Sequence, residues 1–205
     1  MSTRAHAKPT LCLASASPRR RDLLRQIGVE PEVLAPEVDE TVLAGESPAD
    51  YVVRLARTKA LAVHRERTAL PVLAADTAVV IDELILGKPS GAAEGVAMLE
   101  RLSGRTHSVL TAVALATPAG VSFRLSASEV RFRHLSRAEC IAYWDSGEAH
   151  DKAGAYAVQG RGAVFIEYLA GSYSGVMGLP LYETAELLRA AGVPVFPLPA
   201  HGAFA

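Results

Sequence analysis

The sequence predicts an α/β fold with a mixed sheet, on three observations. A short strand, a turn and a helix open the chain, amphipathic helices then alternate with β-rich runs, and two long β-rich runs joined by a tight turn read as antiparallel neighbours. With 205 residues, 50% of them hydrophobic and 21% charged, there is apolar surface enough for one large domain or two lobes sharing a core, and disorder is excluded as the main state.

The first strand is expected over residues 10–14, a short apolar run. A helix follows, with Ser17 placed to cap its free amides, Pro18 at the first helical position, Leu23, Leu24 and Ile27 as its apolar face, and Gly28 as its stop. Ser47 and Pro48 open a second helix, which carries Val52, Leu55, Ala56, Lys59, Ala60 and Val63 along one side. Residues 71–75 and 78–86 are β-rich, separated at Asp76-Thr77; the second run folds back at Asp82-Glu83 into a hairpin closed by Gly87-Lys88-Pro89. A helix over 92–102 ends near Gly104, and strands over 106–116 and 121–135 are joined through Pro118, Ala119 and Gly120. Ser136 and Glu139 form a capping box that opens a helix through Trp144, stopped at Ser146-Gly147. Between Gly154 and Gly178 short β-like pieces alternate with glycines, and the chain closes with a helix over 180–191 and a strand over 193–196. No internal repeat, low-complexity tract or flexible linker interrupts this order.

A balance of 21 basic and 22 acidic side chains gives no global field for gripping nucleic acid or an anionic membrane. No apolar run approaches the roughly 18 residues of a membrane span, and the first eight residues lack the apolar centre of a signal peptide. Cys12 and Cys140 make no Cys-x-x-Cys pair, so the expectation is a reduced, cytoplasmic compartment with both thiols in the core. The near-neutral total hides an asymmetry. Residues 1–29 hold six bases (Arg4, Lys8, Arg19, Arg20, Arg21, Arg25) against Asp22, whereas residues 30–50 hold seven acids and no base. Solvated surface charge accounts for this pattern as readily as a binding site does, so individual positions must decide.

Four positions carry more information. The helix N-terminus at residues 15–21 combines free amides, Ser15, Ser17 and three arginines; cations are disfavoured there unless an anion sits between them, although a plain cap with solvated arginines remains the alternative. Lys59 shares an apolar helical stripe, where it either snorkels to water or meets an anion. Lys88 is aimed by its Gly and Pro neighbours, and Asp76 ends an apolar run, as either a strand cap or a catalytic carboxylate. There is no Walker A loop, Gly-x-Gly-x-x-Gly fingerprint, zinc spacing or Gly-x-Ser-x-Gly elbow. What remains is an inventory of cations, hydroxyls and oxygen ligands suited to a phosphorylated substrate with a hard divalent metal.

In order along the chain stand Leu13-Ala-Ser-Ala-Ser-Pro-Arg-Arg20, Val38-Asp-Glu40, Ala56-Arg-Thr-Lys59, Ala75-Asp-Thr77, Gly87-Lys-Pro89, Leu102-Ser-Gly-Arg-Thr-His107, Asp151-Lys-Ala-Gly-Ala-Tyr-Ala-Val-Gln-Gly160, Gly171-Ser-Tyr173 and Val176-Met-Gly-Leu-Pro180. With these motifs the sequence closely resembles the Maf family of nucleoside triphosphate pyrophosphatases, from about Leu11 to Val195. The resemblance implies a mixed, bent sheet with flanking helices and two lobes around a cleft, akin to inosine triphosphatase. It implies one domain over residues 1–205, with a core of about 11–196, short flexible tails and possible homodimerisation. The implied activity is divalent-metal-dependent hydrolysis (Mg²⁺ or Mn²⁺) of a triphosphate to monophosphate and pyrophosphate, in housecleaning of nucleotide pools.

Arg19, Thr77 and Gln159 are similar to the branch acting on dTTP and UTP. On this resemblance Ser15, Ser17, Arg19, Arg20 and the helix end hold the phosphates, and Lys59 and Lys88 neutralise the leaving pyrophosphate. Asp76 is the proton acceptor, Glu40 and Asp76 bind the metal, and Gln159 reads the imide edge of the base. Arg21 receives no role. The competing expectations are a pyrophosphatase for 7-methyl-GTP or another modified nucleotide, a phosphatase releasing orthophosphate, and a nucleotide-binding regulator of septum formation.

Overall fold

The computed structural model describes residues 10–66 and 70–196. The tails expected outside the 11–196 core fall, Thr10 apart, outside the described residues. The elements run β1 (Cys12–Leu13), α1 (Pro18–Gln26), β2 (Glu32–Val33), α2 (Pro48–Glu66), β3 (Val72–Ile81), β4 (Leu84–Leu86), α3 (Ala92–Leu102), β5 (Thr106–Thr117), β6 (Gly120–Phe132), α4 (Arg137–Asp145), β7 (Ile166–Ala170), α5 (Tyr173–Val176) and α6 (Leu181–Ala190). The strands form one sheet in the order β2-β1-β3-β5-β6-β7, with β4 also on β3. β1 is parallel to β2 and β3, and every other pair is antiparallel, so the sheet is mixed as expected.

Strand alternation explains the layers, because successive residues of β3 and β5 face opposite sides. Val72, Ala74, Ala112, Ala114 and Ala116 pack against Val52, Ala56, Ala60 and Val63 of α2. Their small size lets that helix approach closely. On the other face Leu73, Ala75, Val113 and Leu115 meet Leu23 and Leu24 of α1 and Leu187 and Leu188 of α6. At the far end of the long strands Val79, Ile81, Val109, Val130 and Phe132 join Leu99 and Leu102 of α3 and Cys140 and Tyr143 of α4 in a separate core, that of a second lobe. Cys12 and Cys140 are both buried.

Four expectations change. Asp76 and Thr77 do not separate two strands: β3 runs through them, since Ala112 and Thr111 of β5 supply their backbone partners. β2 went unread because two residues, one of them charged, carry no alternation signal. Residues 193–196 form no strand; Val193 N–H donates to Leu188 O and Phe196 N–H to Ile27 O, which ties this segment to α6 and to the end of α1. The glycine-rich region contains one strand, β7, together with α5 and two 3₁₀ turns at Ala153–Ala155 and Gly160–Phe165. The hairpin at Asp82-Glu83 is present, with both residues at positive φ (52° and 61°) as a two-residue turn between paired strands requires. No helix among the described residues is long and apolar enough to cross a membrane.

The topology creates a cleft. β1 pairs with β3 at Val72 and Leu73, and β4 pairs with the same edge only from Val79 onward. Between these contacts, the edge of β3 that contains Asp76 has no neighbouring strand among the described residues.

Candidate active site

The gap is a cleft of ≈ 350 Å³. Its lining includes all ten candidate residues: Ser15, Ser17, Arg19, Arg20, Glu40, Lys59, Asp76, Thr77, Lys88 and Gln159. Arg21 is not among the lining residues. β1 delivers the chain to the Ser15 turn, and the turn feeds α1, whose Pro18, Arg19 and Arg20 line the cleft. Ser17 occupies the N-cap position but makes no side-chain cap bond, a correction to the expectation. Its own amide instead donates to Ser15 Oγ at 3.2 Å. The first turn of α1 contains no acid, so the free amides and guanidiniums there are left for an anion.

Arg20 is fixed by three bonds: Nε donates to Gly178 O at 2.7 Å, Nη1 to Ser15 Oγ at 3.2 Å, and Nη2 to Thr77 Oγ1 at 3.3 Å. Burial lowers its pKa from the ordinary arginine value, opposed by the nearby Asp76 charge. These bonds use three of its five N–H groups.

Lys59 resolves the sequence ambiguity. Its ammonium lies 2.6 Å from Asp76 Oδ1 and 2.6 Å from Glu40 Oε1, with Lys59 8% and Asp76 7% exposed. It therefore meets two anions and does not snorkel. Burial raises the Asp76 pKa above the ordinary aspartate value, with Lys59 and Arg20 opposing the shift. For Glu40, partial burial pushes upward, but the Lys59 hydrogen bond and charge, with Lys88 and Arg20, outweigh it and hold the carboxyl low. Two carboxylates on one ammonium thus acquire different basicities. Lys88 sits exposed at the opposite lip, after β4.

Supporting residues were missed by sequence reasoning. Tyr51 of α2 donates its hydroxyl to Glu40 O at 3.1 Å, and Arg54 ties the acidic segment down through Glu46 at 2.8 Å and Thr41 O at 3.0 Å. Glu148 accepts from Arg161 N at 2.9 Å, Gly162 N at 3.0 Å and the Tyr143 hydroxyl at 2.8 Å, bracing the turn next to Gln159. Lys152, within a quoted motif but given no role, also lines the cleft. A signal for Tyr51 and Arg54 existed in their place on the helix that carries Lys59; none existed for Glu148, whose partners lie in a distant turn.

Among the described residues no group of three or more His, Cys, Asp or Glu side chains could hold a metal ion. A magnesium-like cation, however, keeps several waters and takes substrate oxygens, needing only one or two carboxylates from the protein. Glu40 and Asp76, both within reach of one ammonium, fit that requirement.

A mixed sheet opened at one strand edge, with the polar cleft between two lobes, places the chain among α/β proteins of the Ham1 architecture. The Staphylococcus aureus Ham1 protein shares the fold at TM-score 0.51 and 14% identity, covering 88% of this chain and 96% of that one. Within that architecture the chain belongs to the Maf family, whose profile, described as Maf-like protein, matches residues 10–191. It is 55% identical over 190 residues to the dTTP/UTP pyrophosphatase of Saccharophagus degradans, covering 91% of this chain and 90% of that protein. It is 54% identical over 187 residues to the dTTP/UTP pyrophosphatase of Alkalilimnicola ehrlichii, covering 88% and 92%.

Proposed function

We propose that the protein hydrolyses dTTP and UTP to the nucleoside monophosphate and pyrophosphate. The observation that carries this reading is Lys59 held 2.6 Å from both Asp76 and Glu40, at the head of a cleft whose other wall is the Ser15 to Arg20 turn. Relatives identical to it at more than half of the aligned positions bear that activity in their names.

A triphosphate carries about four negative charges at neutral pH, and water reaches its α-phosphorus only when those charges are screened. The amides of α1, Ser15, Ser17, Arg19 and Arg20 hold the phosphates, and Lys59 and Lys88 oppose the charge that accumulates on the departing pyrophosphate. Asp76 accepts a proton from the attacking water; desolvation makes its carboxylate more basic than a free aspartate and so better suited to the task. Glu40 and Asp76 would hold Mg²⁺ or Mn²⁺, which supplies Lewis-acid screening of the phosphate oxygens when bound. Thr77 and Gln159 face the base, and a cytoplasmic homodimer engaged in nucleotide-pool housecleaning is the setting that fits this activity.

The deciding experiment follows the released anion across a panel of nucleotides, with and without divalent metal. Pyrophosphate from dTTP and UTP, dependent on metal, is the expected outcome. Orthophosphate release, preference for 7-methyl-GTP, or undiminished activity in chelator would each overturn the corresponding part of the proposal.

A further inference from the structure

Gln159 immediately precedes the 3₁₀ turn at Gly160–Phe165, in the capping position whose side chain ordinarily accepts from the amides two and three residues further on. It makes no such bond. Glu148, in the segment that follows α4, takes those two amides instead: its Oε2 accepts from Arg161 N at 2.9 Å and its Oε1 from Gly162 N at 3.0 Å. Oε1 also accepts from the Tyr143 hydroxyl at 2.8 Å, and the Tyr143 oxygen in turn accepts from Ala157 N at 3.1 Å. One carboxylate thus fastens the backbone on both sides of Gln159, directly at Arg161 and Gly162 and through Tyr143 at Ala157.

Two glycines admit these groups. Gly160 lies at φ 77°, and a Cβ on it would stand 2.5 Å from Glu148 Oε2; a Cβ on Gly162 would stand 2.4 Å from Ala157 O and 2.7 Å from the Tyr143 hydroxyl. Burial pushes the Glu148 pKa upward, but the bonds from Arg161, Gly162 and Tyr143 outweigh it and hold the carboxyl below the ordinary glutamate value. The cap is therefore an anion at neutral pH, and a charged acceptor holds an amide more strongly than the neutral Gln159 side chain would. Gln159 lines the cleft and Glu148 does not.

We propose that Glu148 is a positioning residue: it caps the turn in place of Gln159 and so leaves the Gln159 amide free and oriented for the base of the nucleotide. The inference rests on reading the cleft as a dTTP and UTP site with Gln159 at its base end. It adds a group outside the cleft and outside every motif that carries the family resemblance.

The test is a double-mutant cycle on pyrophosphate release from UTP by the full chain. Glu148→Gln removes the charge and sets an NH₂ group against a backbone N–H, so the Gln159 oxygen is drawn back onto its own turn. KM for UTP should rise about three- to tenfold, the worth of one neutral hydrogen bond. The change belongs in KM, with kcat within about twofold of the wild type, because the base lies away from the reacting phosphorus. In a Gln159→Ala background the same substitution should alter KM by less than about twofold, since the group it acts through is gone. An equal rise in both backgrounds, the signature of a merely structural brace, overturns the proposal, and so does an unchanged KM in the single variant. A second measurement uses the wild-type protein: the Arg161 and Gly162 amides should exchange with deuterium at least about tenfold more slowly than unprotected amides. Exchange at the open-chain rate overturns the inference even where Glu148→Gln fails to fold. A wild-type chain that releases no pyrophosphate from dTTP or UTP refutes the underlying function, a result distinct from an active enzyme whose two backgrounds respond alike.

Discussion

Asp76 is the residue on which the reaction turns, and its neighbours determine how it can be tested. Replacing it with Asn removes the proton acceptor but leaves Lys59 its second partner, Glu40 at 2.6 Å, so no buried ammonium is stranded. Asp76→Asn should therefore reduce kcat by at least about 10² to 10⁴ while the thermal unfolding midpoint stays near that of the wild type. Near-normal turnover would remove Asp76 from the role. Sequence revealed Asp76 and Lys59 through their departure from surface behaviour, a lysine on an apolar stripe and an acid within an apolar run each requiring a partner, whereas Glu40 stood out only through the family resemblance. It could not pair them, because the contact joins α2, β3 and the acidic segment across 17 and 19 residues of chain.

At the level of elements, caps and turns were the most legible features and strand limits the least. The capping box at Ser136 and Glu139 and the Asp82-Glu83 hairpin follow from local chemistry, and both are present. The unbroken β3 depends on β5, which lies some thirty residues further on, so no local window shows it. Contacts between elements also override helix propensity. Gly95 lies within α3, where alanine would favour the helix by about 1 kcal/mol, yet a Cβ at that position would stand 2.2 Å from the Trp144 ring of α4. The ring is in turn held against His150, with centroids 4.3 Å apart. Gly95→Ala should consequently destabilise the protein by about 1–3 kcal/mol. Urea denaturation followed by the fluorescence of Trp144, the only tryptophan in the chain, measures this directly. A variant as stable as the wild type would mean that the α3 and α4 packing is slack.

The whole molecule is nearly neutral because opposed charges converge on one place. Arg19 and Arg20 from the basic segment and Glu40 from the acidic one line the same cleft, while Arg25 and Glu30 join the two segments at 2.8 Å. With a net charge of -1, general self-repulsion is small near neutrality, and the dependence of stability on pH comes from individual buried groups. His107 is one of these in the mildly acidic range. It is 3% exposed, bonded through Nε2 to the Tyr156 hydroxyl at 2.8 Å, and set edge-on to Phe132 and Tyr156 in the core of the second lobe. Burial lowers its pKa from 6.5 to about 4, and its buried Nδ1 has no hydrogen-bond partner to receive a second proton. The native imidazole thus stays neutral where the unfolded one becomes charged, so between about pH 6.5 and 4 the unfolded state binds more protons and stability falls with pH. Above pH 6.5 this contribution is fully present; at pH 5 roughly 2 kcal/mol of it should be gone. Other groups titrate over the same interval, so the decisive quantity is a difference between variants. His107→Gln retains an amide for the Tyr156 hydroxyl and has no titrating group, and urea midpoints taken from pH 8 to pH 5 should decline less steeply for it than for the wild type. Parallel curves would show that His107 does not gain a proton on unfolding and that acid sensitivity originates elsewhere in the fold.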